Sequence, residues 1–366
     1  MRVIDLDSLP RGAGPVPRHA VAHPALDAYD RLLRRRLIIL VGLAALMAAS
    51  LLFDLAMGPA GLPLSTAWAA LTGADGVSPT VTVIVWQVRL PIALMALFVG
   101  AALSLAGAEM QTILDNPLAS PFTLGVSAAA SFGAAIAIVL GIGVPFLPPA
   151  LLVTGNAFLF ALGSVLLLQF LSSRSRGGPD SLVLFGIGLA FTFNALLTLV
   201  QFVASADALQ QVVFWSMGSL ARANWPSVAA LAVVVAAVAP FALAASWRMT
   251  ALRLGEERAR SYGVNVRRLR AFSLLRISLL TATAMSFVGT IGFVGLVGPH
   301  IARMLIGEDH RFFLPASALT GAAVMSLASV ASKSVVPGVL LPVGIVTSLI
   351  GLPVFFALIM RQRGRA

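Results

Sequence analysis

Ten apolar runs recur along this chain, near residues 37–57, 91–112, 122–142, 148–171, 181–204, 225–246, 271–290, 293–306, 313–331 and 340–360. Most approach the roughly 20 residues that a helix needs, at about 1.5 Å per residue, to cross a hydrocarbon core about 30 Å thick. None alternates apolar and polar residues as a barrel strand does. A backbone in lipid must satisfy its N–H and C=O groups internally, so unalternating runs of this length imply helices. The expected fold class is therefore all-α and integral to the membrane, a bundle of about ten transmembrane helices with both termini cytoplasmic. Composition agrees: 59% of residues are hydrophobic and 11% charged, against about a quarter charged in a soluble domain.

Charge placement tests the count. With residue 1 in the cytoplasm and one crossing per run, the inside segments hold seven arginines before residue 37, then Arg174 and Arg176, then seven from Arg248 to Arg270. Arg303 and Arg311 follow, then Arg361, Arg363 and Arg365, whereas the outside segments hold only Arg89, Arg222 and Lys333. This bias is the one the positive-inside rule predicts for ten spans. The seventh and eighth runs are short and must share a turn near Gly289 to Gly295. Gly289, Gly292, Gly295 and Gly298, at every third position, suit either close helix packing or a sharp reversal.

The expected organisation is a cytoplasmic tail at 1–36, partly disordered, a ten-span domain at 37–360 with a cytoplasmic loop at 247–270, and a basic cytoplasmic end at 361–366. The arginines before the first run resemble the start of a signal peptide, but the run is long and no small-residue cleavage site follows it. It reads as a retained span. The location expected is the cell membrane, multi-pass, which is the inner membrane in a Gram-negative source. A net charge of +11 raises nucleic acid as a partner. The basic residues, however, fall between apolar runs rather than on a separate domain, so the expected surroundings are the lipid bilayer and no nucleic acid.

Several chemistries lack their residues. The chain has no cysteine, which removes disulfides and thiolate metal sites. Its one lysine, Lys333, stands in Ala-Ser-Lys-Ser-Val, so no phosphate-cradling Gly-Lys-Ser/Thr loop is present. No His-Glu-x-x-His joins any of His19, His23, His300 and His310, and no Gly-x-Ser-x-Gly elbow occurs. Ion-coupled carriers keep carboxylates near mid-membrane. Here Glu109 is the acid well inside a run, near its cytoplasmic end, where it serves a function or pairs locally. No catalytic residue and no metal site is expected.

Three stretches carry a resemblance. Residues 89–125 read R-L-P-I-A-L-M-A-L-F-V-G-A-A-L-S-L-A-G-A-E-M-Q-T-I-L-D-N-P-L-A-S-P-F-T-L-G. Residues 289–303 read G-T-I-G-F-V-G-L-V-G-P-H-I-A-R, and 341–356 read L-P-V-G-I-V-T-S-L-I-G-L-P-V-F-F. Over about residues 40 to 360 the chain resembles the FecCD family of ABC importer permeases, which move ferric siderophores, haem or cobalamin. The resemblance implies a second copy of this chain, two cytoplasmic ATPase subunits that bind ATP and magnesium, and an extracytoplasmic substrate-binding protein. It implies no cofactor on this chain, which is then not an enzyme.

The resemblance also assigns residues. Gly255, Glu256, Glu257, Arg258, Ala259, Arg260, Ser261 and Gly263 match the family's coupling helix, which docks on the ATPase. The two glycines allow sharp turns around a short charged helix, Glu256 to Ser261; without the resemblance the segment reads as a solvated loop. Asn116 and Leu118, in Asn-Pro-Leu, match a cytoplasmic gate, and Pro117 keeps Asn116 out of a helix. Asp180 and Ser181 are either a second gate element or a helix cap. Arg89 matches the first arginine of a motif that docks the binding protein, or snorkels to the interface; Lys333 joins it as a second docking cation. Ile92 and Leu340 replace a docking arginine and a docking glutamate. The Ser-Lys, Pro-Gly and Leu-Pro-Val-Gly elements look most like members that handle ferric siderophores, with haem or cobalamin as the alternative. The rival of another class is a stand-alone carrier or channel.

Overall fold

The computed structural model of the chain describes residues 24–58, 61–74, 76–145, 147–174, 179–336 and 338–363, and all regular elements among them are helices. The chain divides into two units, Met1–Ile38 and Ile39–Ala366. Of the expected tail, residues 1–23 lie outside the described residues, as do Arg176 and residues 364–366. Residues 24–36 are helical, because α1 runs Pro24–Ala56. Its charged first half favours helix locally: Asp27 stands in the first turn, and arginine is a good helix former.

Seven helices among the described residues are long and apolar enough to cross a membrane: Asp27–Ala56, Pro79–Ile113, Pro149–Arg174, Asp180–Phe202, Trp225–Ala244, Val266–Val288 and His310–Ser334. Three shorter apolar helices, Val126–Leu140, Val294–Ile306 and Val343–Pro353, fall on the third, eighth and tenth apolar runs. The second span is composite. Helix α3 (Pro79–Val83) passes through a π-helical stretch, Ile84–Arg89, into α4 (Leu90–Ile113). Pro91 lacks an N–H donor, and the helix widens just ahead of it. Then come α5 (Val126–Ala135), α6 (Leu152–Arg174), α7 (Pro179–Phe202), α9 (Trp225–Ala244), α12 (Val266–Val288), α13 (Val294–Ile306), α14 (His310–Ser334) and α15 (Val343–Arg363). Short helices α2 (Leu64–Thr72) and α8 (Ala206–Ser216) sit between spans at one end of the bundle; α10 (Ser246–Leu252) and α11 (Glu256–Ser261) sit at the other, called here the loop end.

Helix α4 is central, buried around nearly its whole circumference. Small residues allow this. A Cβ added at Gly107 would overlap the Gly295 carbonyl of α13, and one at Gly100 would overlap the Gly321 carbonyl of α14. Gly298 packs on Ser104, whose hydroxyl donates to the Ser317 carbonyl at 2.6 Å. Between apolar helices, where lipid competes as well as any leucine, such close backbone approach and interhelical hydrogen bonds hold the bundle together. The glycine spacing thus serves both readings: Gly295 and Gly298 pack, while Gly289, at φ +83°, turns the chain out of α12.

Two irregular segments enter the helical core. Residues 114–125 fold back between helices, burying Ala119, Ser120 and Leu124. Their polar groups are served locally: Thr123 donates its hydroxyl to the Ser120 carbonyl at 2.8 Å, and Ser120 N–H donates to Thr123 Oγ1 at 3.2 Å. Residues 289–293 are irregular, from Gly289 at φ +83° to Phe293 at φ +65°. Non-helical backbone at this depth is tolerated because protein, not lipid, surrounds it.

Candidate functional site

The expected charged helix occurs as α11, Glu256–Ser261, with Gly255 at φ +103° before it and Gly263 at φ +80° after it. These positive φ values reverse the chain on both sides of a six-residue helix, where a Cβ would be strained. Ala259 is the buried residue of α11, and Glu257 and Arg258 are exposed. Leu254 and Tyr262 flank the helix as exposed apolar side chains. The segment closes at Asn265, whose Oδ1 accepts from Arg268 N–H at 3.0 Å and caps α12.

This protrusion is tied to the bundle by ion pairs. Arg253, just before Gly255, donates to Asp115 in the α4–α5 segment and, at 2.9 Å, to Glu308 in the α13–α14 turn. Arg270, just after it, pairs with Glu256 and donates from Nε to the Ile113 carbonyl at 3.1 Å. Glu256 also accepts from Arg260 at 2.8 Å. Arg303 of α13 lies 3.2 Å from Glu308 and donates to Gln111 of α4 at 2.9 Å. Beneath them His310 is buried, with Nε2 2.7 Å from Thr112 Oγ1 and its backbone N–H donating to Thr250 Oγ1 at 3.0 Å. One charged patch therefore joins the turns around α11 to the end of α4, the start of the 114–125 segment and the start of α14.

Of the expected gate residues, Asn116 is half-buried and accepts from Leu118 N–H at 2.9 Å through Oδ1, which fixes the turn that carries Leu118. Asp115 beside it adopts φ +48° and pairs with Arg253, so the segment of the expected gate and that of the expected coupling helix share an ion pair. Asp180 stands in the first turn of α7, exposed, and Ser181 follows, half-buried. A first-turn carboxylate favours the helix dipole.

The expected docking pair is placed differently. Arg89 is 5% exposed and donates from Nη1 to the carbonyls of Leu55 and Ala56, at 2.9 and 2.8 Å, capping the open end of α1. Lys333 is 9% exposed and its ammonium donates to Asp54 Oδ1 at 2.8 Å, while Ser329 donates to Oδ2 at 3.1 Å. Neither cation projects outward. The physical reason is that α1 ends with unpaired carbonyls and a carboxylate, which attract both groups into the subunit.

Further residues went unseen in the sequence. Glu109 of α4, fully buried, and Arg276 of α12 form a two-pronged pair, Oε1 to Nε at 2.8 Å and Oε2 to Nη2 at 2.7 Å. Local pairing was one expected role for Glu109; its partner 167 residues away was not foreseen. In the sequence Arg303 reads as a topology charge, Arg253 and Arg270 as topology charges inside the stretch that resembles the coupling segment, and neither Glu308 nor His310 carries a sign of its partners. Among the described residues no three His, Asp or Glu side chains group as metal ligands. At the opposite end of the bundle a cavity of about 1260 Å³ presents Asp207, Gln210, Gln211, Arg222 and Asn224.

Comparison with known proteins matches residues 46–361 to the FecCD transport family. The hemin transport system permease protein HmuU of Yersinia pestis is 36% identical over 338 residues, covering 91% of this chain and 96% of that one. The molybdate import system permease protein MolB of Haemophilus influenzae is 33% identical, covering 89% and 96%. A solved metal-chelate type ABC transporter in an inward-facing conformation superposes with a TM-score of 0.78 at 33% identity, covering 88% of this chain and 99% of that one.

Proposed function

We propose that this chain, which belongs to the FecCD transport family and is a multi-pass cell-membrane permease of an ABC importer, carries iron chelates, ferric siderophores before haem or cobalamin. In this reading it crosses the membrane ten times with the loop end in the cytoplasm and pairs with a second copy of itself. Two ATPase subunits bind ATP and magnesium beneath the loop end, and a binding protein delivers the chelate at the other face. The chain contributes no bond chemistry. Its part is to alternate between conformations that the partners bias.

One observation carries the proposal: α11 lies between two glycine turns, and the arginines that flank it, Arg253 and Arg270, bond to Asp115 and to the Ile113 carbonyl at the end of α4, next to Asn116 and Leu118. A push on Leu254, Arg258 or Tyr262 by a closing ATPase would reach Asp115 through Arg253 and Ile113 through Arg270. The cavity at the opposite end, lined by both apolar and polar side chains, supports an entry for a chelate. Arg89 and Lys333, expected to dock the binding protein, are bonded to the end of α1 in the isolated chain, so docking through them would require release of those bonds.

The relatives divide on cargo, since one is named for hemin and another for molybdate. The siderophore reading rests on the form of the segment around Lys333 and Leu341. It is tested in vesicles that hold this chain, its ATPase and its binding protein, with internal ATP. A labelled ferric siderophore accumulates, and excess unlabelled hemin, cobalamin or molybdate does not displace it. Accumulation of one of those three with none of the siderophore reassigns the cargo.

A further inference from the structure

A cleft of about 780 Å³ opens on the side of the bundle between α9 and α12 and runs to the loop end. Its wall along the spans is apolar, formed by Val238 and Phe241 of α9 and by Phe272, Leu275 and Leu279 of α12. Its mouth holds Trp247, Arg248, Asn265 and Arg268. Phe241, Trp247 and Phe272 are exposed, Trp247 to 59%. Among the described residues no acidic side chain lines the cleft. Arg276 reaches it from below, but that charge is met by Glu109. Among the described residues neither Arg248 nor Arg268 has a side-chain hydrogen-bond or ion-pair partner, unlike Arg253, Arg260 and Arg270 nearby.

We propose that this cleft binds an anionic phospholipid of the cytoplasmic leaflet, with its phosphate between Arg248 and Arg268 and an acyl chain along Phe241 and Phe272. The proposal rests on the orientation given above, which places the loop end in the cytoplasm. The volume falls in the range of about 300–1,000 Å³ usual for small-ligand sites. Apolar walls below two guanidiniums match a lipid, whose charge lies at the surface and whose chain lies below it. Basic pockets between transmembrane helices on the cytoplasmic side suit anionic headgroups. The first turn of α12 adds the positive end of its dipole at the same level, and Trp247 sits where an interfacial tryptophan is expected. A protein partner on this face would cover the same arginines with acidic groups, but the apolar depth of the cleft favours a chain that enters from the bilayer.

The test uses the full chain in zwitterionic nanodiscs, with brominated phosphatidylglycerol or brominated phosphatidylcholine as quencher. The Trp247 signal is taken as the difference from W247F. Brominated phosphatidylglycerol should quench it at a mole fraction lower by on the order of tenfold, as two basic side chains near an anionic lipid predict. The R248Q/R268Q chain should lose this preference, and R34Q/R35Q, which removes the same charge elsewhere, should keep it. Equal quenching by both lipids, an equal loss in R34Q/R35Q, or quenching by neither because another protein copy covers the cleft would each overturn the proposal. Orientation is read separately. The chain has no native cysteine, so a maleimide reports Tyr262→Cys cleanly, and labelling from outside the cell would remove the topology without reference to the lipid result.

Discussion

Glu109 on α4 and Arg276 on α12 meet inside the bundle, Oε2 to Nη2 at 2.7 Å, with the carboxylate fully buried and Ser273 Oγ accepting from the same nitrogen at 2.9 Å. Helix α4 leads into the segment of Asn116, and α12 leads out of the coupling segment. The pair thus links the helix before the segment of Asn116 to the helix after α11, parallel to the surface links through Arg253 and Arg270.

Removing one partner of such a pair leaves the other charge buried and unpaired, which costs about 3–5 kcal/mol, whereas replacing both with apolar groups is often neutral. Glu109→Leu alone, or Arg276→Met alone, should therefore lower the midpoint of thermal unfolding in detergent strongly, and the double variant should recover most of the loss. A double variant as unstable as the sum of the singles would show that the pair is no unit.

Arg253→Gln releases both Asp115 and Glu308. These pairs are partly solvated, so each is worth roughly 1 kcal/mol or less and the chain should fold and bind its ATPase. Uptake should nevertheless fall at least about tenfold. Glu256→Lys, which sets like charges against Arg260 and Arg270, should leave ATP hydrolysis running without uptake. Native uptake in both variants would detach α11 from coupling.

Lys333 is buried against Asp54, its ammonium 2.8 Å from Oδ1. Lys333→Glu would place two acids in one buried site with Asp54, and the expected outcome is a large loss of folded protein, partly restored in Asp54→Asn/Lys333→Met. A full yield of folded chain that merely docks its binding protein less tightly would return Lys333 to the docking surface.

Asn116→Ala removes the acceptor for Leu118 N–H, so the turn at the gate loosens. Passive leak of a labelled chelate through the resting permease should rise several-fold while assembly with the ATPase is unchanged. A tight Ala variant would place closure elsewhere, with Asp180 and Ser181 the next positions to vary.

The sequence was legible wherever a property is local. Apolar run length marked every long helix, and two glycines eight residues apart bracketed α11 at its true limits. What escaped was pairing across distance. Arg89 and Lys333 read as outward cations because their partners, the carbonyls of Leu55 and Ala56 and the carboxylate of Asp54, lie 33 to 279 residues away. The arginines from Arg248 to Arg270 serve the positive-inside argument equally well, yet only the fold separates Arg253 and Arg270, which clamp the turns around α11, from Arg248 and Arg268, which face the cleft.

The central claim is that this chain moves a chelate only when partners drive it. The most direct measurement is uptake of a labelled ferric chelate into vesicles that contain the chain with or without its ATPase, its binding protein and internal ATP. The account predicts accumulation when all are present and none when any one is withheld. Accumulation by the chain alone, driven by an ion gradient, would contradict it.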